Sequence, residues 1–271
     1  MLKTSLPIDI YIEEIIKSFN HHDNLILTAP PGTGKTTRVP AALLKRFKKI
    51  IVLVPKRIAA ASAANRVSDE NNWVFGKQVG YQVRFENKTD NQTRLIFMTE
   101  GIFIKKLQDS QMWHELDLII FDEFHERSSL LDLALGFTLE KQILEQNIKI
   151  MVMSATLDIA PLEAFLQSGS KKPKHINVVT PIYPLEVIKS KKSQRLIIDT
   201  QFVDQLIETL HLALHKSQKD ILIFLPGLSE INFVKKQLHD KFKNLEINIL
   251  HGSMLIDEQK KILLESSSNS P

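Results

Sequence analysis

Short runs of β-branched and aliphatic residues recur along the chain, at Leu25-Ile26-Leu27, Ile50-Ile51-Val52-Leu53-Val54, Leu95-Ile96-Phe97-Met98, Leu118-Ile119-Ile120-Phe121 and Ile150-Met151-Val152-Met153. A longer mixed segment follows each run, and the apolar positions Leu130, Leu131, Ala134, Leu135 and Leu139 keep helical spacing within one of them. A strand with one wet face alternates polar and apolar residues, whereas continuous apolar runs suit strands covered on both faces. The rhythm therefore predicts an α/β fold, a parallel sheet with helices packed over it. Before the first run, an amphipathic segment from Ile8 to Phe19 presents Ile12, Ile15, Ile16 and Phe19 on one side, which is expected to pack on that sheet.

The composition shifts at Ser168-Gly169-Ser170-Lys171-Lys172-Pro173-Lys174, and Thr180-Pro181-Ile182-Tyr183-Pro184 brings two prolines that disfavour helix. This places a boundary near residue 180, with a first α/β domain over residues 1–180 and a second over 181–271. The second is expected to hold strands at Leu185 to Ile188, Ile221 to Leu225 and Ile247 to Leu250, and helices at Thr200 to Leu214 and Leu228 to Phe242. A polar tail, Ser266 to Pro271, follows before enough strands have accumulated for a sheet of usual size, so the second domain reads as partial.

Composition changes this picture little. Hydrophobic residues make up 43% and charged residues 24% of 271, which excludes disorder as the default. Cysteine is absent, which removes disulfides, thiol nucleophiles and cysteine-ligated zinc from consideration. The first residues lack a charged-then-apolar leader and no apolar run is long enough to cross a bilayer, so a cytoplasmic protein without membrane association is expected. A net charge of +4 and a pI near 9.0 permit a polyanionic partner without specifying one. Trp73, Trp113 and the 14 phenylalanines are expected in the core.

The candidate chemistry lies where the apolar runs end. Ala29-Pro30-Pro31-Gly32-Thr33-Gly34-Lys35-Thr36 stands between the first run and a helical segment, the context of a loop that cradles phosphates. Gly32 and Gly34 allow backbone N–H groups to turn inward, Lys35 adds a point charge, and the Thr36 hydroxyl can ligate Mg²⁺, with Thr37 next in line. A nucleoside triphosphate and Mg²⁺ are the expected ligands. Ala29 takes the place of the first glycine in the G-x-x-x-x-G-K-T pattern, a small residue for a small residue. After the fourth run comes Asp122-Glu123-Phe124-His125. Two carboxylates at the carboxyl end of a buried strand suit one acid holding the metal, Asp122, and one orienting or deprotonating water, Glu123. The fifth run ends in Ser154-Ala155-Thr156, whose hydroxyls could bond His125 or cap the following helix.

In this order, APPGTGKT (29–36), PKRIAA (55–60), TEG (99–101), DEFHERS (122–128) and SAT (154–156) resemble the motor core of DEAH-type superfamily 2 helicases. Within them the bacterial HrpB-type group has the DEFH form of the second motif. Leu6-Pro7-Ile8, Thr37-Arg38-Val39-Pro40, Gly80-Tyr81-Gln82-Val83-Arg84-Phe85 and Phe224-Leu225-Pro226-Gly227 are similar to that group as well. The resemblance implies two RecA-like domains and ATP-dependent translocation on, or unwinding of, nucleic acid. It implies that Gly32, Gly34, Lys35 and Thr36 bind the triphosphate, and that Asp122 and Glu123 manage magnesium and water. His125, Ser154 and Thr156 would couple nucleotide state to domain movement. Arg57, Thr99 and Gly227 would contact the phosphates of a single strand, RNA or DNA, with protein partners left open. Apart from the resemblance, His251, followed by Gly252 and Ser253 after a strand candidate, could touch such a backbone or cap its own turn. Lys56 stands where arginine is more frequent, keeping the charge without the forked donor geometry.

The threonine-rich coupling motif and the Q-x-x-G-R-x-G-R motif of the family do not occur before Pro271. The arginines of the latter stabilise the transferring phosphoryl group, so these 271 residues alone are expected to bind ATP and nucleic acid and to hydrolyse slowly or not at all. A nucleotide-dependent binding module without catalysis and another P-loop phosphotransferase are the alternatives.

Overall fold

Each of the five apolar runs forms a strand in the computed structural model, which describes residues 5–145, 148–156, 158–167, 171–180, 186–189, 197–216, 219–255, 257–259 and 261–262. In chain order the strands are β1 (Asn24–Thr28), β2 (Ile50–Val54), β3 (Val79–Val83), β4 (Glu86–Lys88), β5 (Leu95–Thr99), β6 (Leu118–Phe121), β7 (Lys149–Ser154) and β8 (Lys174–Asn177). They form one sheet in the order β4-β3-β5-β2-β6-β7-β1-β8, parallel throughout except for the β3–β4 pair. The apolar runs supply its middle, β5-β2-β6-β7-β1, where both faces are covered and β1 and β2 are buried at every position. Strands β3, β4 and β8 were not marked by such a run. Gly80 in β3 is where β4 crosses so closely that a Cβ would stand 2.1 Å from the Lys88 carbonyl oxygen.

The helices are α1 (Ile12–Ser18), α2 (Lys35–Leu43), α3 (Arg57–Asn71), α4 (Glu100–Lys105), α5 (Ser110–Glu115), α6 (Ser129–Glu145), α7 (Ile159–Gln167), α8 (Thr200–Lys216) and α9 (Leu228–Lys241). The segment expected to run as one helix from Ile8 to Phe19 is split, with a 3-10 turn over Pro7–Tyr11 ahead of α1. On α6, Leu131, Ala134, Leu135 and Leu139 join Ile26, Ile51, Ile119 and Phe121 of the sheet in one core, while Leu130 remains exposed. Trp113 is buried in that core, but Phe85 and Phe224 correct the expectation for the aromatics, each being 86% exposed.

The chain divides into two compact units, Met1–Tyr183 and Pro184–Pro271. In the second, α8 and α9 form against each other through Val203, Leu210, Val234 and Leu238, with Ile223, Leu225 and Ile247 packed alongside. The strands expected at Ile221 to Leu225 and Ile247 to Leu250 are not formed: those residues lie outside every strand of the structure. Side-chain pattern disposes a segment to extend, but a strand exists only when a neighbour completes its ladder. Residues 186–188 likewise belong to no strand. Leu185, residues 168–170 and 181–184, and the tail Ser266 to Pro271 lie outside the described residues. No helix among the described residues is long and apolar enough to cross a membrane.

Candidate active site

Consecutive strands β1 and β2 are parted in the sheet by β7 and β6, so the loops leaving β1, β6 and β7 emerge side by side at one carboxyl edge. That edge is where an open parallel sheet leaves room for a ligand. The β1–β7 register pairs Thr28 with Ser154, and the ladder runs one step further as the Ala29 N–H donates to the Ser154 carbonyl at 2.9 Å. The loop then turns away, with Thr33 Oγ1 donating to the Pro30 carbonyl at 2.8 Å. Gly32 and Gly34 adopt φ of +77° and +93°, values that strain any residue with a Cβ. Helix α2 begins immediately at Lys35, and its first-turn N–H groups and positive dipole end sit at the loop.

The acids come from the neighbouring strand end. The Asp122 N–H donates to the Leu53 carbonyl at 2.9 Å, which carries the β6 ladder one residue past its end and fixes the carboxylate in a fully buried position. Asp122 Oδ2 accepts from the Thr36 hydroxyl at 2.5 Å and Oδ1 from the Glu123 N–H at 2.9 Å. Burial pushes the Asp122 carboxyl up to about 6, against the opposing pull of the Lys35 charge and the Thr36 hydroxyl. Glu123 takes a left-handed backbone, φ +52°, a conformation that strains a non-glycine residue by roughly 1–3 kcal/mol. So placed, its Oε1 accepts from Lys35 Nζ at 3.0 Å while Oε2 stands 3.4 Å from His125 Nδ1. Ser154 Oγ lies 3.4 Å from the same His125 nitrogen and donates to the Thr156 carbonyl at 2.7 Å. Residues 86 and 88 positions apart in sequence thus meet in direct contact.

This donor set suits a hard divalent cation. The Thr36 hydroxyl and an Asp122 oxygen are adjacent oxygens beside a buried, under-compensated carboxylate, and magnesium favours few protein oxygens with phosphate and water completing its shell.

The remaining predicted residues fall into two groups. Thr99 ends β5 opposite Val54 of β2, and Arg57 opens α3 just beyond, so both lie at the carboxyl edge of the same sheet. The Arg57 Nε is buried without a hydrogen-bond partner among the described residues, while Lys56 pairs with Glu126 at 2.7 Å. Gly227 and His251 belong to the second unit. Gly227 precedes α9 with an extended φ of −159°, and His251 Nδ1 is 2.8 Å from Ser253 Oγ within its own turn.

Two groups escaped sequence reasoning. Glu100 is buried and accepts a hydrogen bond from Ser128 Oγ, joining the segments that contain TEG and DEFHERS. Those motifs were both visible, but their contact was not. Under the phosphate loop, Thr28 Oγ1 donates to Asn177 Oδ1 and contacts His175 Nε2, each at 2.9 Å. Both partners sit on β8, a strand without an apolar run to announce it.

The profile of a family described as DEAD/DEAH box helicase matches residues 11–165. The ATP-dependent RNA helicase HrpA of Borreliella burgdorferi is 32% identical over 274 residues, covering 97% of this chain and 32% of that protein. The ATP-dependent RNA helicase HrpB of Escherichia coli is 32% identical over 268 residues, covering 96% of this chain and 32% of its own length. Two crystal structures of E. coli HrpB superpose with TM-scores of 0.77 and 0.71 at 31% and 30% identity, over 96% of this chain. The chain spans about a third of the length of these relatives.

Proposed function

Because this chain belongs to the DEAD/DEAH box helicases, we propose that its first unit is the Mg·ATP-binding domain of an ATP-dependent RNA helicase and that its second begins another RecA-like domain. The observation that carries the reading is the pair of contacts Lys35–Glu123 and Thr36–Asp122, which joins a phosphate-type loop to an acid pair at one sheet edge. RNA is the proposed substrate because the relatives HrpA and HrpB are described as RNA helicases.

The residues divide the work as follows. The backbone of 29–34 and the first turn of α2 enclose the phosphates, and Lys35 neutralises charge at the outer ones. Thr36 and Asp122 would hold a magnesium ion, which would supply charge neutralisation and orientation of the phosphates. Lys35 occupied by phosphate no longer needs the Glu123 carboxylate, which is then available to orient water. His125 stands between Glu123 and Ser154, so a change at the acid is felt at the end of β7. Arg57 and Thr99 contact the RNA backbone through phosphates, which positions a strand without reading its sequence. Taken alone, the 271 residues contain no Q-x-x-G-R-x-G-R motif, and the reading assigns them ATP binding with slow turnover.

Two measurements test this. A fluorescent ATP analogue should bind, be displaced by ATP, and fail to bind at the same concentration after Lys35→Ala. A single-stranded RNA oligomer should bind with an affinity that falls as salt rises, and Arg57→Ala should reduce that slope by about one phosphate contact. Analogue binding indifferent to Lys35→Ala ends the nucleotide assignment, and salt-independent or absent RNA binding ends the assignment of Arg57.

A further inference from the structure

The segment ahead of the first strand does more than fill the core. Pro7–Tyr11 forms a 3-10 turn closed by a reciprocal cap: the Leu6 N–H donates to Asp9 Oδ2 at 2.9 Å and the Asp9 N–H donates to the Leu6 carbonyl at 2.9 Å. Pro7 at its first position fixes φ for such a turn. This stiff turn lies against the phosphate loop. Its Ile8 N–H donates to the Thr33 carbonyl at 3.2 Å. Ile8 is fully buried, and a Cβ placed on Gly34 would come within 2.7 Å of Leu6 Cδ1 and 3.2 Å of Ile8 Cγ2.

The direction of that bond matters. In a trans peptide the C=O and the following N–H point in opposite directions, and no cis peptide occurs among the described residues. Holding the Thr33 carbonyl toward Ile8 therefore turns the Gly34 N–H away from the turn. Glycine at 32 and 34 makes these peptides easy to rotate, and the loop's own Thr33 Oγ1–Pro30 hydrogen bond restrains the Thr33 side chain without engaging the Thr33 carbonyl. A free loop would have to be ordered each time a phosphate bound, at roughly 1–2 kcal/mol per residue fixed.

We propose that Leu6 and Ile8 form a strap that pre-sets the Thr33–Gly34 peptide for phosphate binding, making them positioning residues for the nucleotide. The inference rests on the nucleotide reading above and goes beyond it, since that reading needs only the loop itself. Leu6 and Ile8 act through Gly34, behind which both side chains lie so closely that a Cβ there would meet them. A strap of this kind raises affinity by lowering the ordering cost rather than by adding a contact.

The test uses the full 271-residue chain. Leu6→Ala loosens the packing on Gly34 and is expected to weaken Mg·ATP binding about tenfold, while Leu6→Met restores most of it. Amide exchange in ligand-free protein should quicken at residues 32–35 and stay slow in β1 and β6. Leu139→Ala, a buried change on α6, is the control: it should lower thermal stability without altering ATP affinity. The strap is overturned if Leu6→Ala leaves affinity within twofold of wild type, or if Leu139→Ala weakens binding as much. Wild-type protein that binds no Mg·ATP at all would instead overturn the nucleotide reading on which the strap depends.

Discussion

Twice the chain passes from an apolar extended segment through a Pro/Gly loop into a helix, once from β1 into α2 and once from residues 221–225 into α9. The first segment has β7 on one side and β8 on the other, and all five of its residues are buried. The second belongs to no strand: Ile223 and Leu225 turn toward α8 and α9, whereas Leu222 and Phe224 face solvent. Similar local chemistry has produced a laddered strand in one place and an unladdered one in the other. Side-chain pattern decides which conformation and which side is wet, but backbone hydrogen bonds across strands decide whether a sheet exists. The loops differ accordingly. Gly34, gripped between Leu6 and α2, is held at φ +93°, whereas Gly227 sits at an extended φ that any residue adopts.

The contrast can be broken most severely with two phenylalanines. Phe121→Ala, at a fully buried position of β6, should destabilise the first unit by about 3–5 kcal/mol in denaturant unfolding. Phe224→Ala, at an exposed one, should change stability by no more than about 0.5 kcal/mol. Equal losses would mean that the second segment is as well buried as the first.

A smaller effect sharpens the comparison at the site itself. In nucleotide-free protein, Asp122 goes from an ordinary 3.8 when unfolded to about 6 when folded, so it takes up a proton on folding. Its favourable contribution is fully present below about pH 4 and is lost as pH rises through about 6. Against Asp122→Asn, wild-type stability should therefore fall by about 2–3 kcal/mol over that window, read by urea midpoints at a series of pH values. A difference that stays flat with pH would show that burial does not hold this carboxyl up.

Lys35→Ala removes a charge-assisted donor worth about 1.5–3 kcal/mol, so Mg·ATP should bind roughly 10- to 100-fold more weakly, measured by calorimetric titration. Within the site the smallest effect is expected of Ser154→Ala. The Ser154–His125 contact is long at 3.4 Å, so its loss should shift thermal stability by no more than about 1 kcal/mol.

The central strands and the core face of α6 were legible because continuous apolar runs and helical spacing are direct records of two-sided and one-sided burial. That the loop after β1 and the acids after β6 would meet at one edge was legible because both follow buried parallel strands of the same sheet. Strands β4 and β8 were not, since these edge strands tolerate residues such as Asn87 and Lys174 that carry no apolar signal, and in the interior strand β3 Gly80 and Gln82 interrupt the apolar run. Nor could sequence spacing disclose that Glu123 pairs with Lys35, because that contact depends on a left-handed backbone at a non-glycine residue. The strand expectations at 221–225 and 247–250 failed for a further reason, that pairing is a property of neighbours and not of the segment.

The claim that Thr36 and Asp122 share one metal-bound nucleotide site is tested most directly by titrating ATP into the protein with and without excess Mg²⁺, in wild type and in Asp122→Asn. The account predicts that Mg²⁺ tightens ATP binding by at least about tenfold in wild type and has little effect in the variant. An ATP affinity indifferent to Mg²⁺ in wild type, or a full Mg²⁺ effect surviving in Asp122→Asn, would contradict it.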